Sequence, residues 1–362
     1  MAGLHPEEVL AVTGGGDASG AARAHEPVCE PVCEHYAGDA RKLAKALALQ
    51  ASRGFDFDVT MDLEDGAPAG AEADMVRTLV GLLNQWHTDR NGSGSVTGSQ
   101  SLNESESGTG FWAGHRHAVG CRVHPREHPA FADDLHVLAH ALEFPLAYLT
   151  IPKTEGVADA TAAIAHAAQT FASANKQLPP VQLLVETHGA VREAFGLAAL
   201  PEVRFLSFGQ MDFTSAHHGA ISAEAMHSPG QFDHPLLRRA KVEILAACHA
   251  AGKIPTHNPT VNFADSDQTR ADAQQARSMG FLRMWSIHPS QVGPIVDSFA
   301  PSGDEVEAAA ALLLNAQASQ WGPIAFGGKL HDRASYRYFW ALLKKARAMH
   351  RPIPQAAETA FF

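Results

Sequence analysis

Charged and polar residues stand directly behind six short β-branched or aromatic runs of the sequence. The segments are Met61-Asp62-Leu63-Glu64-Asp65-Gly66, Cys121-Arg122-Val123-His124-Pro125, Ile151-Pro152-Lys153, Leu184-Val185-Glu186-Thr187-His188-Gly189, Phe208-Gly209-Gln210-Met211-Asp212-Phe213 and Trp285-Ser286-Ile287-His288-Pro289-Ser290-Gln291. Carboxylates with little nitrogen or sulfur around them suit a hard cation such as Mg²⁺ or Mn²⁺. An Arg and a Lys nearby can neutralise a substrate carboxylate or an oxyanion, as carbon–carbon cleavage through an enolate requires.

The same residues also have ordinary structural explanations. Asp62, Glu64 and Asp65 are residue types that cap and open helices in any strand–helix loop. Arg122 fits a surface ion pair, and in a chain with 21 histidines any one histidine is more often structural than catalytic. Many charged groups follow predicted strands at the same time. The sequence therefore supports a metal-assisted site as well as it supports these structural explanations.

The elements that must position these residues alternate between strand and helix along the chain. The predicted strands are Pro31–Tyr36, Asp56–Leu63, Ala118–His124, Ala147–Pro152, Val181–Glu186, Val203–Gly209, Lys253–Thr256 and Phe281–His288. The helices predicted between them are Ala40–Arg53, Ala71–Trp86, Asp133–Leu142, Val157–Asn175, Ala190–Leu197, Pro235–Ala250 and Asp267–Met279. Eight strands over roughly 260 residues are typical of a parallel (β/α)₈ barrel, whose functional groups cluster at the carboxyl ends of the strands. No Gly-x-Gly-x-x-Gly turn opens any of these helices, which disfavours a dinucleotide-binding fold.

The domain organisation follows from composition. Residues 1–27 are rich in Gly, Ala and acidic side chains and predict a loosely ordered tail, and the barrel is expected over residues 28–300. Within it, Asn91 to about Gly110 is almost wholly Gly, Ser, Thr, Asn and Glu, which predicts a surface loop or a disordered insertion. Residues 301–362 are expected to form a helical extension and lid, with helices Glu305–Gln320 and Ser335–Met349 on either side of a glycine-bearing loop at Trp321–Gly328. No strand is expected after the second helix.

Composition and charge also disfavour some classes of binding partner and some kinds of site. The formal net charge is −11, from 28 Lys and Arg against 39 Asp and Glu, which argues against nucleic acid because phosphate binding needs concentrated cations. The four cysteines make no disulfide framework, and Cys29 and Cys33 lack the second ligand pair of a zinc site. No signal peptide and no stretch of roughly 18 apolar residues is visible, so a cytoplasmic protein without a membrane partner is expected.

Taken in order, the strand-end segments resemble the citrate lyase β-subunit, malyl-CoA lyase and hydroxy-diacid aldolase family, the HpcH/HpaI aldolases. The resemblance runs from about His35 to Lys344 and is carried by Asp62-Leu63-Glu64-Asp65-Gly66, Arg122-Val123, Pro152-Lys153, Val185-Glu186-Thr187, Phe208-Gly209 with Asp212, and Ile287-His288-Pro289-Ser290-Gln291. It implies a TIM barrel. It also implies Mg²⁺, with Mn²⁺ as the alternative, on the residues that match Glu186 and Asp212.

The resemblance also assigns roles to the other residues of the site. The carboxylates that match Glu64 and Asp65 are expected close behind the metal, acting through metal-bound waters. The residue that matches Arg122 holds the substrate carboxylate, and Lys153, Glu186 and Gly209 are expected with it in the substrate-binding set.

The last part of the chain carries a further match. Gly328-Lys329-Leu330-His331-Asp332 has the spacing of the Gly-Lys-Met-Ile-Asp lid of malyl-CoA lyases, whose Asp enters the active site of the adjacent subunit. The resemblance therefore implies that Asp332 is a general acid or base delivered in trans, in a homo-oligomer that is often a trimer. The alternative is that Asp332 caps the last predicted helix.

The function that the resemblance implies is cleavage or condensation of a small carboxylate or acyl-CoA substrate. A 3-hydroxy acyl-CoA or hydroxy acid would release a 2-oxo acid and an enolate. The alternatives are a malyl-CoA-type thioesterase, a free-acid 2-oxo acid aldolase and a non-catalytic accessory subunit. The chain departs from the family at Pro31–Tyr36, at His188 and at Thr214-Ser215-Ala216-His217-His218-Gly219, near the rim where substrate identity is decided.

Overall fold

The computed structural model describes residues 4–10, 30–53, 57–65, 70–92 and 119–362. Of the tail expected at residues 1–27, all but residues 4–10 lies outside the described residues. The insertion expected from Asn91 to Gly110 also lies outside them, apart from the two residues that end a helix. The chain forms two compact units, one of Pro31–Phe299 and one of the N-terminal segment up to Glu30 with Ala300–Phe362.

Eight parallel strands close a barrel in the first unit, and this confirms the expected (β/α)₈ TIM-barrel fold. The strands pair in sequence order, and the last pairs with the first. They are β1 (Cys33–Ala37), β2 (Asp58–Asp62), β3 (Val119–Arg122), β4 (Leu149–Ile151), β5 (Val181–Val185), β6 (Val203–Phe208), β7 (Ile254–His257) and β8 (Arg283–Ser286). Nearly every residue of these strands is buried, because the inner faces fill the barrel and the outer faces meet helices.

Helices surround the strands, as the alternating pattern predicts. Those of the first unit are α2 (Ala40–Arg53), α3 (Glu72–Gly92), α4 (Phe131–Ala141), α5 (Val157–Ser173), α6 (His188–Arg192), α7 (Ala194–Ala199), α8 (Gln210–Ser215), α9 (Gly230–Asp233), α10 (Pro235–Ala251), α11 (Ser266–Met279) and α12 (Pro289–Phe299). A 3₁₀ turn at Ala223–Met226 precedes α9. The helix predicted at Ala190–Leu197 is two helices, since Glu193 breaks the run between α6 and α7.

The second unit contains α1 (Pro6–Leu10), α13 (Gly303–Ala318), α14 (Arg333–Ala348) and α15 (Gln355–Phe361). It also contains an antiparallel hairpin of β9 (Ile324–Phe326) and β10 (Lys329–His331). The predicted loop at Trp321–Gly328 was wrong, because β9 and the hairpin turn lie there. Gly327 and Gly328 both have positive φ, +56° and +74°, which suits the tight two-residue turn of a hairpin, so the glycines that indicated a loop in fact join two strands. Among the described residues no helix combines the length and the apolar character needed to cross a bilayer.

A buried ion cluster lies inside the barrel and joins its first, second and last strands. The guanidinium of Arg283 on β8 lies 2.8 Å from the carboxylate of Asp58 on β2 and 3.3 Å from that of Glu34 on β1, and all three side chains are fully buried. Glu34 also accepts hydrogen bonds from Thr60 at 3.1 Å and from Gln182 on β5 at 2.8 Å. Charges removed from water are tolerated only when they are paired and hydrogen-bonded in this way.

We expect Arg283→Met to lower the free energy of unfolding by about 3–5 kcal/mol, because the two buried carboxylates lose the cation they contact. Urea denaturation of the purified protein measures the change. The variant Glu34→Gln/Asp58→Asn/Arg283→Met removes all three charges and should recover most of the loss. An equal loss in both variants would show that packing of the arginine side chain, and not its charge, stabilises this part of the barrel.

Candidate active site

An arginine–aspartate pair joins β2 and β3 at their carboxyl ends. Asp62 and Arg122 are the last residues of these strands and lie opposite each other in the strand register. The guanidinium donates two hydrogen bonds to the carboxylate of Asp62, each 2.7 Å long, from Nε to Oδ1 and from Nη2 to Oδ2. This two-pronged geometry fixes the plane of the guanidinium.

Arg122 also contacts the two carboxylates that follow β2. Its Nη1 lies 2.7 Å from Glu64, and its Nη2 lies 2.8 Å from Asp65. Burial acts to lower the pKa of Arg122, but the charge and hydrogen bonds of Asp62 and the charge of Glu64 outweigh it and raise that pKa well above its usual value. The side chain of Asp65 is 69% exposed and that of Asp62 10%, so Asp65 is the partner of Arg122 on the solvent side.

Lys153 connects the loops after β2, β4, β5 and β6. Its Nζ lies 3.0 Å from the carboxylate of Glu64 and 3.8 Å from that of Asp212, and its backbone N–H donates to Glu186 Oε1 at 2.6 Å. Burial lowers the pKa of Lys153, but its hydrogen bond to Glu64 and the charges of these three carboxylates outweigh burial and raise it. Lys153 has φ +53°, an uncommon backbone conformation for a residue with a side chain and one often found at functional sites.

Glu186 follows β5 and is 2% exposed. Burial, the charge of Glu64 and the charge of Asp212 raise the pKa of Glu186 to about 8. Burial also raises the pKa of Glu64. The end of β6 makes room for this carboxylate, since a Cβ on Gly209 would lie 2.1 Å from Glu186 Oε2. Glycine at position 209 therefore lets the ends of β5 and β6 lie close together with the Glu186 carboxylate between them.

The charged groups of this site suit a hard divalent cation. Asp212, in the first turn of α8, is half exposed, and with Asp62, Glu64, Asp65 and Glu186 it makes five carboxylates against the two cations. In the described part of the chain no three His, Cys, Asp or Glu side chains are grouped to enclose a metal. Mg²⁺ does not require such a cage, because it commonly binds one or two carboxylates and keeps water or substrate oxygens as its other ligands. The residues present therefore fit a hard cation held by one or two of these carboxylates.

These side chains line a cavity of about 280 Å³ at the carboxyl end of the barrel. Asp62, Asp65, Arg122, Glu186, Gly209 and Asp212 line it. The ring of Tyr36 on β1 stacks on that of Trp285 on β8, with centroids 4.8 Å apart, and forms one wall. The barrel thus brings together every site residue predicted from the sequence except Asp332, with Glu64 and Lys153 attached through their ion pairs.

Four further cavity residues were given no role in the sequence analysis, although Gln210 and Trp285 stand in the strand-end segments quoted there. Tyr36, Gln210, Asn258 and Trp285 line the cavity, and each carries a buried polar atom without a hydrogen-bond partner in the described structure. The amide nitrogens of Gln210 and Asn258 donate to backbone carbonyls, which can only accept, so their unpartnered oxygens are acceptors. Asn258 directly follows β7. The expectation that functional polar residues follow strand ends, which identified Arg122 and Glu186, could therefore have identified Asn258 as well. Tyr36 and Trp285 lie within strands and gave no such signal.

Asp332 lies in the second unit and caps α14. Its carboxylate accepts hydrogen bonds from the backbone N–H of Ala334 at 2.9 Å and of Ser335 at 3.4 Å. The capping alternative is therefore realised in the structure. The role of Asp332 in a neighbouring subunit stays a prediction.

A second cavity of about 320 Å³ contains none of the predicted residues. It is lined by Asp272, Gln231, Ser228 and Thr260 among others. The carboxylate of Asp272 is satisfied by Gln231, Thr260 and Gln268 at 2.7–3.0 Å and by Ser228. Although this cavity is the larger, we place the chemistry in the first one, because only there do charged groups of both signs converge at strand ends.

Comparison with known proteins identifies the family of the chain. A family model described as HpcH/HpaI aldolase/citrate lyase matches residues 110–289. A citrate lyase structure from Burkholderia xenovorans LB400 is 44% identical, with a TM-score of 0.79, and the match covers 99% of this chain and all of that one. The protein CitE from Mycobacterium tuberculosis, in complex with magnesium, acetoacetate and coenzyme A, shares the fold at 20% identity and a TM-score of 0.63, over 88% of this chain and 99% of that one.

A curated relative is the L-malyl-CoA/beta-methylmalyl-CoA lyase of Rhodobacter capsulatus, which is 26% identical over 211 residues. The match covers 55% of this chain and 66% of the relative, so the chain spans slightly less than two thirds of that enzyme. With the closed barrel, its strand-end carboxylates and the near full-length match to a citrate lyase structure, the chain belongs to the HpcH/HpaI aldolase/citrate lyase family.

Proposed function

We propose that the chain is a Mg²⁺-dependent carbon–carbon lyase that cleaves, or in reverse condenses, a 3-hydroxy acyl-CoA or hydroxy acid through an enolate. The observation that carries the proposal is the buried carboxylate of Glu186, whose pKa is raised to about 8 among Glu64 and Asp212. A perturbed acid beside two cations in a cavity at the carboxyl end of a barrel is typical of an active site. Relatives named malyl-CoA lyase and citrate lyase support the reaction class.

Glu186 and Asp212 would hold the metal, and Mn²⁺ is the alternative to Mg²⁺. The complex of CitE with magnesium supports this choice of ion. The bound cation would supply positive charge against the oxygen on which the enolate develops. Lys153 adds a second positive charge at the same place, because its ammonium lies between Glu64 and Asp212.

Arg122 would bind the substrate carboxylate by exchanging one partner. Its contact with Asp62 is two-pronged and buried, whereas its contact with the exposed Asp65 is a single one. A substrate carboxylate can therefore replace Asp65 at Nη2 while Asp62 keeps the guanidinium in place. Tyr36 supports the same group, since the guanidinium carbon lies 5.2 Å from the centre of its ring.

Carboxyl groups would carry out the proton transfers of the reaction. Glu64 or Asp65 would accept the proton of the substrate hydroxyl, directly or through water. The carbon–carbon bond would then break, with its electron pair passing to the enolate and the former hydroxyl oxygen becoming the carbonyl of the 2-oxo acid. Asp332 from a neighbouring subunit would protonate the enolate carbon, which requires a homo-oligomer such as a trimer.

A free-acid aldolase is the second candidate. The cavity of about 280 Å³ is lined by the uncharged polar groups of Tyr36, Gln210, Asn258 and Trp285. Such a lining suits a compact hydroxylated acid, because a polar substrate can satisfy buried donors and acceptors that otherwise cost about 1–3 kcal/mol each.

Turnover of a substrate panel tests the proposal. The panel contains malyl-CoA, β-methylmalyl-CoA, citramalyl-CoA, citryl-CoA and free 4-hydroxy-2-oxo acids, each with and without Mg²⁺. Metal-dependent release of a 2-oxo acid with the thioester intact supports the lyase, and release from the free acids alone supports the aldolase. Free CoA without a 2-oxo acid identifies a thioesterase. Thioester binding without any product identifies an accessory subunit.

We expect Glu186→Gln to reduce Mg²⁺-dependent turnover by at least about 100-fold and to weaken Mg²⁺ binding, because an anionic oxygen ligand is lost. Initial rates and calorimetric Mg²⁺ titration measure the two effects. Glu202→Gln is the matched control, since Glu202 is exposed just before β6, away from the carboxyl ends of the strands. Unchanged metal affinity and turnover in Glu186→Gln would remove this residue from the site.

Gly209→Ala should reduce turnover about as strongly while the protein still folds. The φ of Gly209 is −87°, which alanine adopts freely, so the effect is steric. The new methyl group would lie 2.1 Å from Glu186 Oε2 and 2.5 Å from Glu186 Cβ, so both the carboxylate and its attachment to β5 must shift. The control is Gly81→Ala, where a Cβ meets no atom within 4 Å on α3 and alanine favours the helix. Equal activity of the two variants would show that the Glu186 carboxylate tolerates displacement.

A further inference from the structure

Two histidines face each other on the loops that also carry Glu186 and Asp212. His188 begins α6, two residues after Glu186, and His217 lies just past the end of α8. Their Nε2 atoms are 3.0 Å apart, their ring centroids are 4.7 Å apart, and their planes meet at 69°. These residues are among the departures from the family pattern, and the proposed lyase chemistry does not use them.

The surroundings fix the orientation of both rings. The Nδ1 of His217 lies 2.8 Å from the backbone oxygen of Phe213. A carbonyl can only accept, so Nδ1 carries the hydrogen and Nε2 of the neutral ring presents its lone pair. The buried ring of Phe213 also contacts both imidazoles, at centroid distances of 4.9 Å and 5.1 Å.

The geometry of the pair fits a shared ion and departs from a straight hydrogen bond. Two imidazoles bound to one ion at about 2.05 Å, with nitrogens 3.0 Å apart, subtend about 94° at the ion and place their centroids about 4.7 Å apart. A straight N–H···N hydrogen bond of the same length places the centroids about 5.3 Å apart. The observed separation of 4.7 Å matches the first arrangement.

We propose that His188 and His217 form a binding site for a divalent transition-metal ion such as Zn²⁺, Co²⁺ or Ni²⁺, separate from the hard-cation site. Imidazole nitrogen suits these ions, whereas the carboxylates of Glu186 and Asp212 suit Mg²⁺. The carbonyl of Phe213 acts as the outer partner that metal-binding histidines usually have. Binding requires only that the hydrogen on His188 Nε2 move to Nδ1, with no net loss of a proton. Water completes the coordination.

Another histidine pair provides the control. His136 and His140 lie one turn apart on the exposed face of α4, with ring centroids 4.4 Å apart and planes at 34°. Their rings lie side by side, and Nε2 of His140 contacts Ser173 Oγ at 3.3 Å. His218 is exposed next to His217 and controls for the removal of a neighbouring imidazole.

The test is a Co²⁺ titration of the full chain in saturating Mg²⁺, followed by calorimetry and by visible absorption of the bound ion. We expect one Co²⁺ with nitrogen ligation per chain. His188→Ala and His217→Ala should each weaken binding by at least about tenfold. His217→Gln should do the same while it keeps a donor for the Phe213 carbonyl, which separates loss of a ligand from loss of structure. His218→Ala and His136→Ala/His140→Ala should leave the affinity unchanged.

The variant Glu186→Gln/Asp212→Asn separates this site from the proposed catalytic metal. It should lose Mg²⁺ binding and keep the Co²⁺ affinity, so failure of either proposal is visible independently of the other. Unchanged affinity in His188→Ala and His217→Ala, with folding verified by circular dichroism, overturns the inference. Loss of Co²⁺ binding in the carboxylate variant alone, or in the α4 variant alone, overturns it as well.

Discussion

The structure of the site depends on the repulsion among carboxylates that the barrel places together. Asp62, Glu64, Asp65, Glu186 and Asp212 come from three different strand ends, and in a region of low dielectric such charges repel strongly. Arg122 offsets this repulsion in the loop after β2. Lys153 offsets it between the loops after β2, β5 and β6. The raised pKa of Glu186 comes first from burial and then from the repulsion of Glu64 and Asp212 that remains. The attraction of this cluster for a divalent ion comes from the same repulsion.

The two cations have different functions in this arrangement. Arg122 is buried and in two-pronged contact with Asp62, so its position is determined by the ladder between β2 and β3. Lys153 is less buried, and it binds through its backbone N–H as well as its ammonium. Its left-handed backbone conformation directs both groups to the same cluster. Without these two residues the repulsion among the strand-end carboxylates would have no cation to offset it within this cluster.

Much of this site was predictable from the sequence because of a simple constraint. Parallel strands all point their carboxyl ends to one side of a barrel, so residues behind Met61, Cys121, Ile151, Val185 and Phe208 had to meet there. All eight strands were predicted with their ends within two residues of those observed. The family and the barrel were recognised from the same segments.

What could not be predicted depends on packing between elements distant in sequence. Tyr36 and Trp285 form a cavity wall only because β1 pairs with β8, and no local pattern contains that pairing. The β9–β10 hairpin was missed because a Gly-Gly pair indicates a loop as readily as a tight turn. The imidazoles of His188 and His217 meet through the contact of two loops, and among 21 histidines spacing alone does not select them.

The ion cluster of Glu34, Asp58 and Arg283 has a consequence for how the chain is made. Its two acids are synthesised first, and the arginine that contacts both follows about 225 residues after Asp58. A nascent chain that has not reached β8 holds two charges that it cannot bury beside this cation. Early closure of a partial barrel is therefore disfavoured. The acids on β1 and β2 can be buried beside Arg283 only after β8 has been synthesised.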